Sequence, residues 1–254
     1  MKKIFHATMM AAALFTMGAA AHADEIINEA RTVDGRTVKV ILDGVIDLKL
    51  KQGAPSLVVS GDKRYLSKVV VTQSGDTIRI GTDNLKGIFI GSSPKLKAEL
   101  SLPQLRELVS AGVGSAEVKG FDGDEVRLSL EGAGAMDVAS RFKKVDVRLT
   151  GLGSMTVSGT NADEVDLNLK GAGQIAISGQ SKNLHARLGG LGSLDAKQLQ
   201  SDNVDADMTG LGGATFYAKN SANLRLSGMG SATVYGKPAS RQSSARGLGS
   251  VAFN

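Results

Sequence analysis

The sequence predicts an all-β protein folded as a parallel β-solenoid (β-helix), and three observations carry that expectation. Gly-x-Gly pairs recur at a nearly constant step through the second half of the chain. Apolar and polar residues alternate between them. No proline stands between Pro103 and Pro238, as expected where every strand needs its N–H for a ladder.

The pairs are Gly112/Gly114, Gly132/Gly134, Gly151/Gly153, Gly171/Gly173, Gly190/Gly192, Gly210/Gly212, Gly228/Gly230 and Gly247/Gly249. Their first glycines lie 20, 19, 20, 19, 20, 18 and 19 residues apart. So even a step marks stacked supersecondary units, here about eight coils of 19–20 residues. All sixteen glycines are expected to be structural turn residues, permitting φ > 0 in a tight corner. The middle residues are all apolar (Val113, Ala133, Leu152, Ala172, Leu191, Leu211, Met229, Leu248), which suits a buried corner.

Each coil holds two strands. Before the glycines come Val126/Leu128/Leu130, Val145/Val147/Leu149, Val165/Leu167/Leu169, Leu184/Ala186/Leu188 and Val204/Ala206/Met208, interleaved with polar residues. After them come Ala116/Val118, Met136/Val138, Met155/Val157, Ile175/Ile177, Leu194/Ala196, Ala214/Phe216, Ala232/Val234 and Val251/Phe253. Period two with one apolar face is the pattern of a half-buried strand. Polar segments such as 160–163, 180–183 and 201–203 supply the second turn. One coil cannot bury its apolar face alone, so coils stack.

The remaining segments are less regular. Residues 1–23 read as a secretory signal: Lys2 and Lys3, an apolar run to Ala20, then Ala21-His22-Ala23. The alternative, a membrane anchor, needs a longer apolar run. In 24–111, strands are expected at 37–42, 45–50, 56–60, 69–72, 77–80 and 95–102. This region is expected to form irregular coils and an N-terminal cap on the rod that 112–254 builds. A separate small β domain is the alternative.

Composition narrows the chemistry. The formal charge is +5, and two of those charges, Lys2 and Lys3, sit in the expected signal. The other charges are interspersed, with no stripe for nucleic acid and no transmembrane segment. There is no cysteine, so disulfides, thiolate catalysis and Cys-ligated metals are excluded. Past the signal the sole histidine is His185.

The export signal, the segment LSLPQLRELVSAGVGSAEV at 100–118 and the eight Gly-x-Gly repeats resemble the auto-transporter adhesin family defined by the head GIN domain, a domain of unknown function. The likeness spans roughly residues 30–254. It implies a pectin-lyase-like β-helix in which Gly-x-Gly turns join two sheets, and an adhesin role. This sequence has neither the C-terminal barrel nor the heptad stalk of an auto-transporter.

No Gly pair is a nucleotide loop, because the third glycine is missing and a strand follows each pair. GGLGSLDAK (189–197) misses the calcium nonapeptide: Asp195 falls one place late and the period is wrong. Stacking in register places His185 between Asp166 and Asp205 on an outer ladder that also holds Arg127, Asp146, Asn223 and Gln242. Such a His–acid group suits a lyase-like or weak metal site, or is an ordinary solvated face. Tyr217 and Tyr235 stack outward on successive coils, as a platform for sugars or proteins or as a cross-strand pair. The last coil turns small or polar inside (Arg241, Ser243, Ala245), and its edge is a candidate for self-association.

The expected function is an exported, non-enzymatic solenoid presenting a repetitive surface for adhesion or cell-envelope binding. A glycan or an envelope or surface protein is the expected partner, in the periplasm or at the cell surface, with no cofactor. The alternatives are a lyase-like enzyme acting on polysaccharide and a periplasmic structural or assembly protein.

Overall fold

The computed structural model of the chain describes residues 26–83 and 95–254; the expected export signal lies outside the described residues. The strands are β1 (Ile26–Arg31), β2 (Lys39–Asp43), β3 (Asp47–Gln52), β4 (Ser56–Asp62), β5 (Val69–Ser74), β6 (Thr77–Thr82), β7 (Lys97–Leu102) and β8 (Glu107–Ser110). Six long strands then follow, each covering one turn: β9 (Val113–Leu130), β10 (Ala133–Leu149), β11 (Leu152–Leu169), β12 (Ala172–Leu188), β13 (Leu191–Met208) and β14 (Leu211–Gly228). They end with β15 (Ser231–Tyr235), β16 (Ser240–Gly247) and β17 (Ser250–Phe253). A single helical turn, α1 (Lys63–Leu66), follows β4; Asp62 caps it by accepting from the Arg64 N–H.

The fold is the parallel β-solenoid that the repeat predicts. Equivalent residues of successive turns pair in register, for example Val113, Ala133, Leu152, Ala172, Leu191 and Leu211. Eight glycine corners delimit seven complete turns, with β17 beginning another, so the expected eight coils become about seven turns. The eighth Gly-x-Gly only opens a turn. At about 4.8 Å per strand, seven turns give roughly 34 Å between the first and last corners.

Each turn contributes one segment before its corner to face A and one after it to face B. The N-terminal strands continue both stacks, but not in chain order. Face A runs β5–β6–β2–β8 and then the C-terminal halves of the long strands. Face B runs β1–β4–β7–β3 and then their N-terminal halves. The turn made by β2 and β3 is thus inserted between β6/β7 and β8/β9. The pairs β1–β4, β4–β7 and β5–β6 are antiparallel. The ends of β2–β7 lie within about two residues of the expected ones, whereas β1, β8 and this threading were not expected. The two strands expected per coil run as one: 160–163, 180–183 and 201–203 lie inside β11, β12 and β13, so the far turn is made within the strand.

The alternating apolar residues fill the space between the faces. Leu128, Val147, Ile175, Leu184, Phe216 and Leu224 are fully buried. At the far turn, opposite the glycine corners, Phe121 and Phe142 plug the interior, and later turns replace them with small residues and hydroxyls. Ser181 and Ser201 share a 2.8 Å hydrogen bond there. The Thr160 hydroxyl is buried with no hydrogen-bond partner.

The corners correct three expectations. First, a turn is expected at both glycines of each pair, but the bend is confined to one residue. It falls at Gly112, Gly132, Gly151, Gly171, Gly190 and Gly210 in six corners, and at Met229 and Leu248 in the last two. The second glycines Gly114, Gly134, Gly153, Gly173, Gly192 and Gly212 are strand residues, not turn residues. They pair with one another from turn to turn, because the chain is extended again at once and joins the parallel ladder. Gly230 and Gly249 stand directly before β15 and β17, while Gly228 and Gly247 end β14 and β16.

Second, left-handed φ is not what demands glycine. Among the corner residues only Gly114, Gly153 and Gly247 have positive φ; Gly173, Gly192, Gly230 and Gly249 do not. Backbone approach is the reason instead. From Gly132 through Gly212, a Cβ at either glycine of a pair would lie 1.8–2.3 Å from the carbonyl oxygen of the equivalent glycine one turn back. At Gly230 that distance is 2.8 Å, and at Gly249 it is 2.7 Å, so the crowding persists into the last turn. Third, the middle residues are not buried. Leu152 is 62 % exposed, Leu191 60 % and Leu248 84 %. The corner backbone turns so tightly that its middle side chain projects away from the core.

Candidate functional site

Four unlike surfaces run along the rod. Face A is ionic. Its outward row Arg127, Asp146, Asp166, His185, Asp205 and Asn223 stacks in register. Arg127 Nε donates to Asp146 at 3.2 Å, and Arg148 Nη2 donates to the same carboxylate at 2.7 Å. Arg225 Nη1 bridges Asp205 at 3.2 Å and Asp207 at 3.1 Å. Arg127 is held above the ordinary arginine range chiefly by its bond to Asp146, and Arg225 chiefly by its bond to Asp207.

His185 sits between Asp166 and Asp205 in this ladder and is exposed. Among the described residues it makes no hydrogen bond to either acid, and no group of three or more His, Asp or Glu side chains is arranged to hold a metal ion. Asp205 is instead engaged by Asn223 Nδ2 at 3.3 Å and by Arg225. A mixed-charge cleft of about 520 Å³ lies beside β8, lined by Lys39, Arg106, Glu107, Asp122, Asp124 and Arg127. Sequence reading misses it because β8 and β2 meet only through the out-of-order threading.

Face B is nearly uncharged from β11 onward. Its outward positions are Ser154, Thr156 and Ser158; then Gln174, Ala176 and Ser178; then Ser193; then Gly213 and Thr215; then Ser231 and Thr233. Asp195 and Lys197 are the exceptions, and Thr215 donates to Asp195 at 2.7 Å. Tyr217 and Tyr235 pair in register on this face, both half-buried. The Lys197 ammonium lies 4.2 Å from the Tyr235 ring centroid, a cation–π contact. The face can offer hydroxyl hydrogen bonds at one-strand spacing beside an aromatic pair.

The far edge alternates in charge from turn to turn. Lys143 bonds Asp124 at 2.7 Å, Lys182 bonds Asp163 at 2.7 Å, and Lys219 approaches Asp202 at 3.7 Å. Asp124 and Asp163 are held below the usual carboxylate range, first by their lysine hydrogen bonds and then by the same lysines' charge. The near edge carries the exposed corner residues. Beyond β14, β16 is exposed throughout, and no described strand pairs with the outer edge of β16 or β17.

Comparisons agree with this architecture. The family model described as "Putative auto-transporter adhesin, head GIN domain" matches residues 38–161 and 160–238. A solved structure of a putative adhesin from Parabacteroides distasonis is 21% identical over 91% of this chain and 97% of its own, with TM-score 0.82. A second P. distasonis protein, described as a putative lipid binding protein, is 20% identical over 90% and 96%, with TM-score 0.79. A putative adhesin from Bacteroides fragilis is 18% identical over 91% and 98%, with TM-score 0.70. At these identities the likeness is one of fold. No curated protein matches the chain.

Proposed function

This chain belongs to the family described as "Putative auto-transporter adhesin, head GIN domain", and from that premise we propose that it is an exported, non-enzymatic solenoid whose face B binds an uncharged glycan of the cell envelope or a cell surface. The observation that carries the reading is the contrast between the faces. Much of face A is engaged in its own ion pairs, through Arg127, Asp146, Arg148, Asp205, Asp207 and Arg225. Face B repeats small hydroxyl and amide side chains on a rigid ladder, with Tyr217 and Tyr235 beside them. Neutral sugars are recognised by hydroxyl hydrogen bonds and by stacking of C–H faces on aromatic rings, and many weak repeated contacts sum by avidity. The family's description supports the adhesive role. Self-association through the outer edge of β16 and β17 would lengthen such a surface.

Fractionation of native cells, with and without protease treatment of intact cells, tests the placement; a cytoplasmic protein would overturn it. Pull-down on purified envelope polysaccharide tests the surface. The Tyr217→Ala/Tyr235→Ala protein is expected to lose binding while retaining its β-sheet circular dichroism. Equal retention of wild type and variant on the polysaccharide would remove face B from the account. Cleavage of a uronate polymer, read as new ultraviolet absorbance, would favour an enzyme instead.

A further inference from the structure

We propose that the near edge of the rod seats it lengthwise on a lipid bilayer containing anionic lipid. This goes beyond the glycan reading and concerns a different surface. Val113, Leu152, Leu191, Leu211, Met229 and Leu248 project from six of the eight corners with 43–84 % exposure, and Ala133 and Ala172 stand at the other two. Packing gives no reason for a position this exposed to be apolar, yet it is apolar at every corner. Exposed apolar patches of this extent mark interaction surfaces.

Shape and charge choose the occupant. The ridge is roughly 34 Å long and one side chain wide, presenting eight residues where a stable protein interface uses about 20–30 a side. A leaflet needs no complementary shape and accepts each aliphatic side chain independently. Glycines flank every ridge residue, so the tips stand clear of the backbone. The next outward row toward face B is uncharged (Ser154, Gln174, Ser193, Gly213, Ser231), so shallow insertion desolvates no ion there. On the other side the adjoining row carries one acid, Glu131 near the N-terminal corners, and two cations, Lys170 and Arg246. Both cations are long and exposed, and can reach anionic headgroups. The ion-pair ladder on the opposite edge would face water. Seated this way, the rod keeps faces A and B accessible.

The test is co-sedimentation of the protein, purified after export with its N-terminus checked by mass, with phosphatidylcholine vesicles containing phosphatidylglycerol as the minor lipid. Wild type is expected to sediment with these vesicles. Leu152→Ser/Leu191→Ser/Leu211→Ser should lower apparent affinity by at least about tenfold, while Leu152→Met/Leu191→Met/Leu211→Met binds as wild type does. Absence of wild-type binding, or equal binding by the serine variant, overturns the proposal. So does a dimer that only the serine variant loses, which would make the ridge a seam between copies. Should the serine variant fail to fold, the cysteine-free chain allows Leu191→Cys or Thr156→Cys to carry a polarity-sensitive dye. A blue shift with vesicles at position 191 and not at 156 supports the seating; no shift at 191 overturns it.

Discussion

At the scale of single residues, the corner glycines are the least replaceable part of the chain. A Cβ on Gly134 would sit 2.0 Å from the Gly114 carbonyl oxygen, and backbone above and below cannot move aside without breaking two ladders. Gly134→Ala is therefore expected to cost about 2–4 kcal/mol, read as a lower midpoint in urea unfolding. Gly120 gives the control: a Cβ there meets nothing within 4 Å, and only its φ of +79° opposes a side chain. Gly120→Asn, which tolerates that φ, should cost under about 1 kcal/mol. Equal losses at the two sites would refute the stacking explanation. Leu152 teaches the complementary lesson: an apolar residue between two glycines looks like core in sequence, yet 62 % of it is exposed.

At the scale of elements, the ladders of unlike charge set the response to pH. The Asp34 carboxyl is held at about 2, first by hydrogen bonds from Arg36. Glu117, Asp124 and Asp163 are lowered by bonds from Lys119, Lys143 and Lys182. A lowered carboxylate contributes stability that is fully present above its unfolded value, near pH 4. That contribution is lost as pH falls through the lowered folded value. Lys143 and Lys182 are raised by the same bonds, so their contribution is lost only at alkaline pH, as pH rises through their folded values. Melting temperature should stay level from pH 7 to pH 5 and decline below about pH 4. These pairs are solvent-exposed, so the decline should be modest and shrink with added salt. A drop already complete at pH 5 would contradict the assignment.

At the scale of the whole molecule, a solenoid is nearly one-dimensional: each turn meets only its neighbours. Deleting residues 152–171 joins Gly151 to Ala172 and removes one turn while leaving every register intact. That protein should fold, with β-sheet circular dichroism and a single cooperative melt. Deleting residues 152–161 removes half a turn, so a segment of face A falls on face B and the Gly171 corner falls at the far edge, and it should yield no folded protein. Survival of both deletions, or of neither, would argue against independent turns.

Turn length, the inward residues of the repeats, the positions of β2–β7 and the family were legible in the bare chain, because a 19-residue period and a two-residue alternation are local patterns written once per turn; β1, β8 and the continuity of each long strand through its far turn were not. The same patterns put His185 level with Asp166 and Asp205, and Tyr217 level with Tyr235, since in-register stacking follows from the period. Three things were set only by the folded backbone. The insertion of β2 and β3 between β6/β7 and β8/β9 depends on contacts about 70 residues apart that no local pattern encodes. The reason for glycine, at Gly173, Gly192, Gly230 and Gly249 as at Gly134, lies in the distance to the turn below and not in the residue's own φ. And whether the corner residue points in or out depends on the direction of one Cα–Cβ bond at a bend, where alternation breaks and sequence periodicity carries no information.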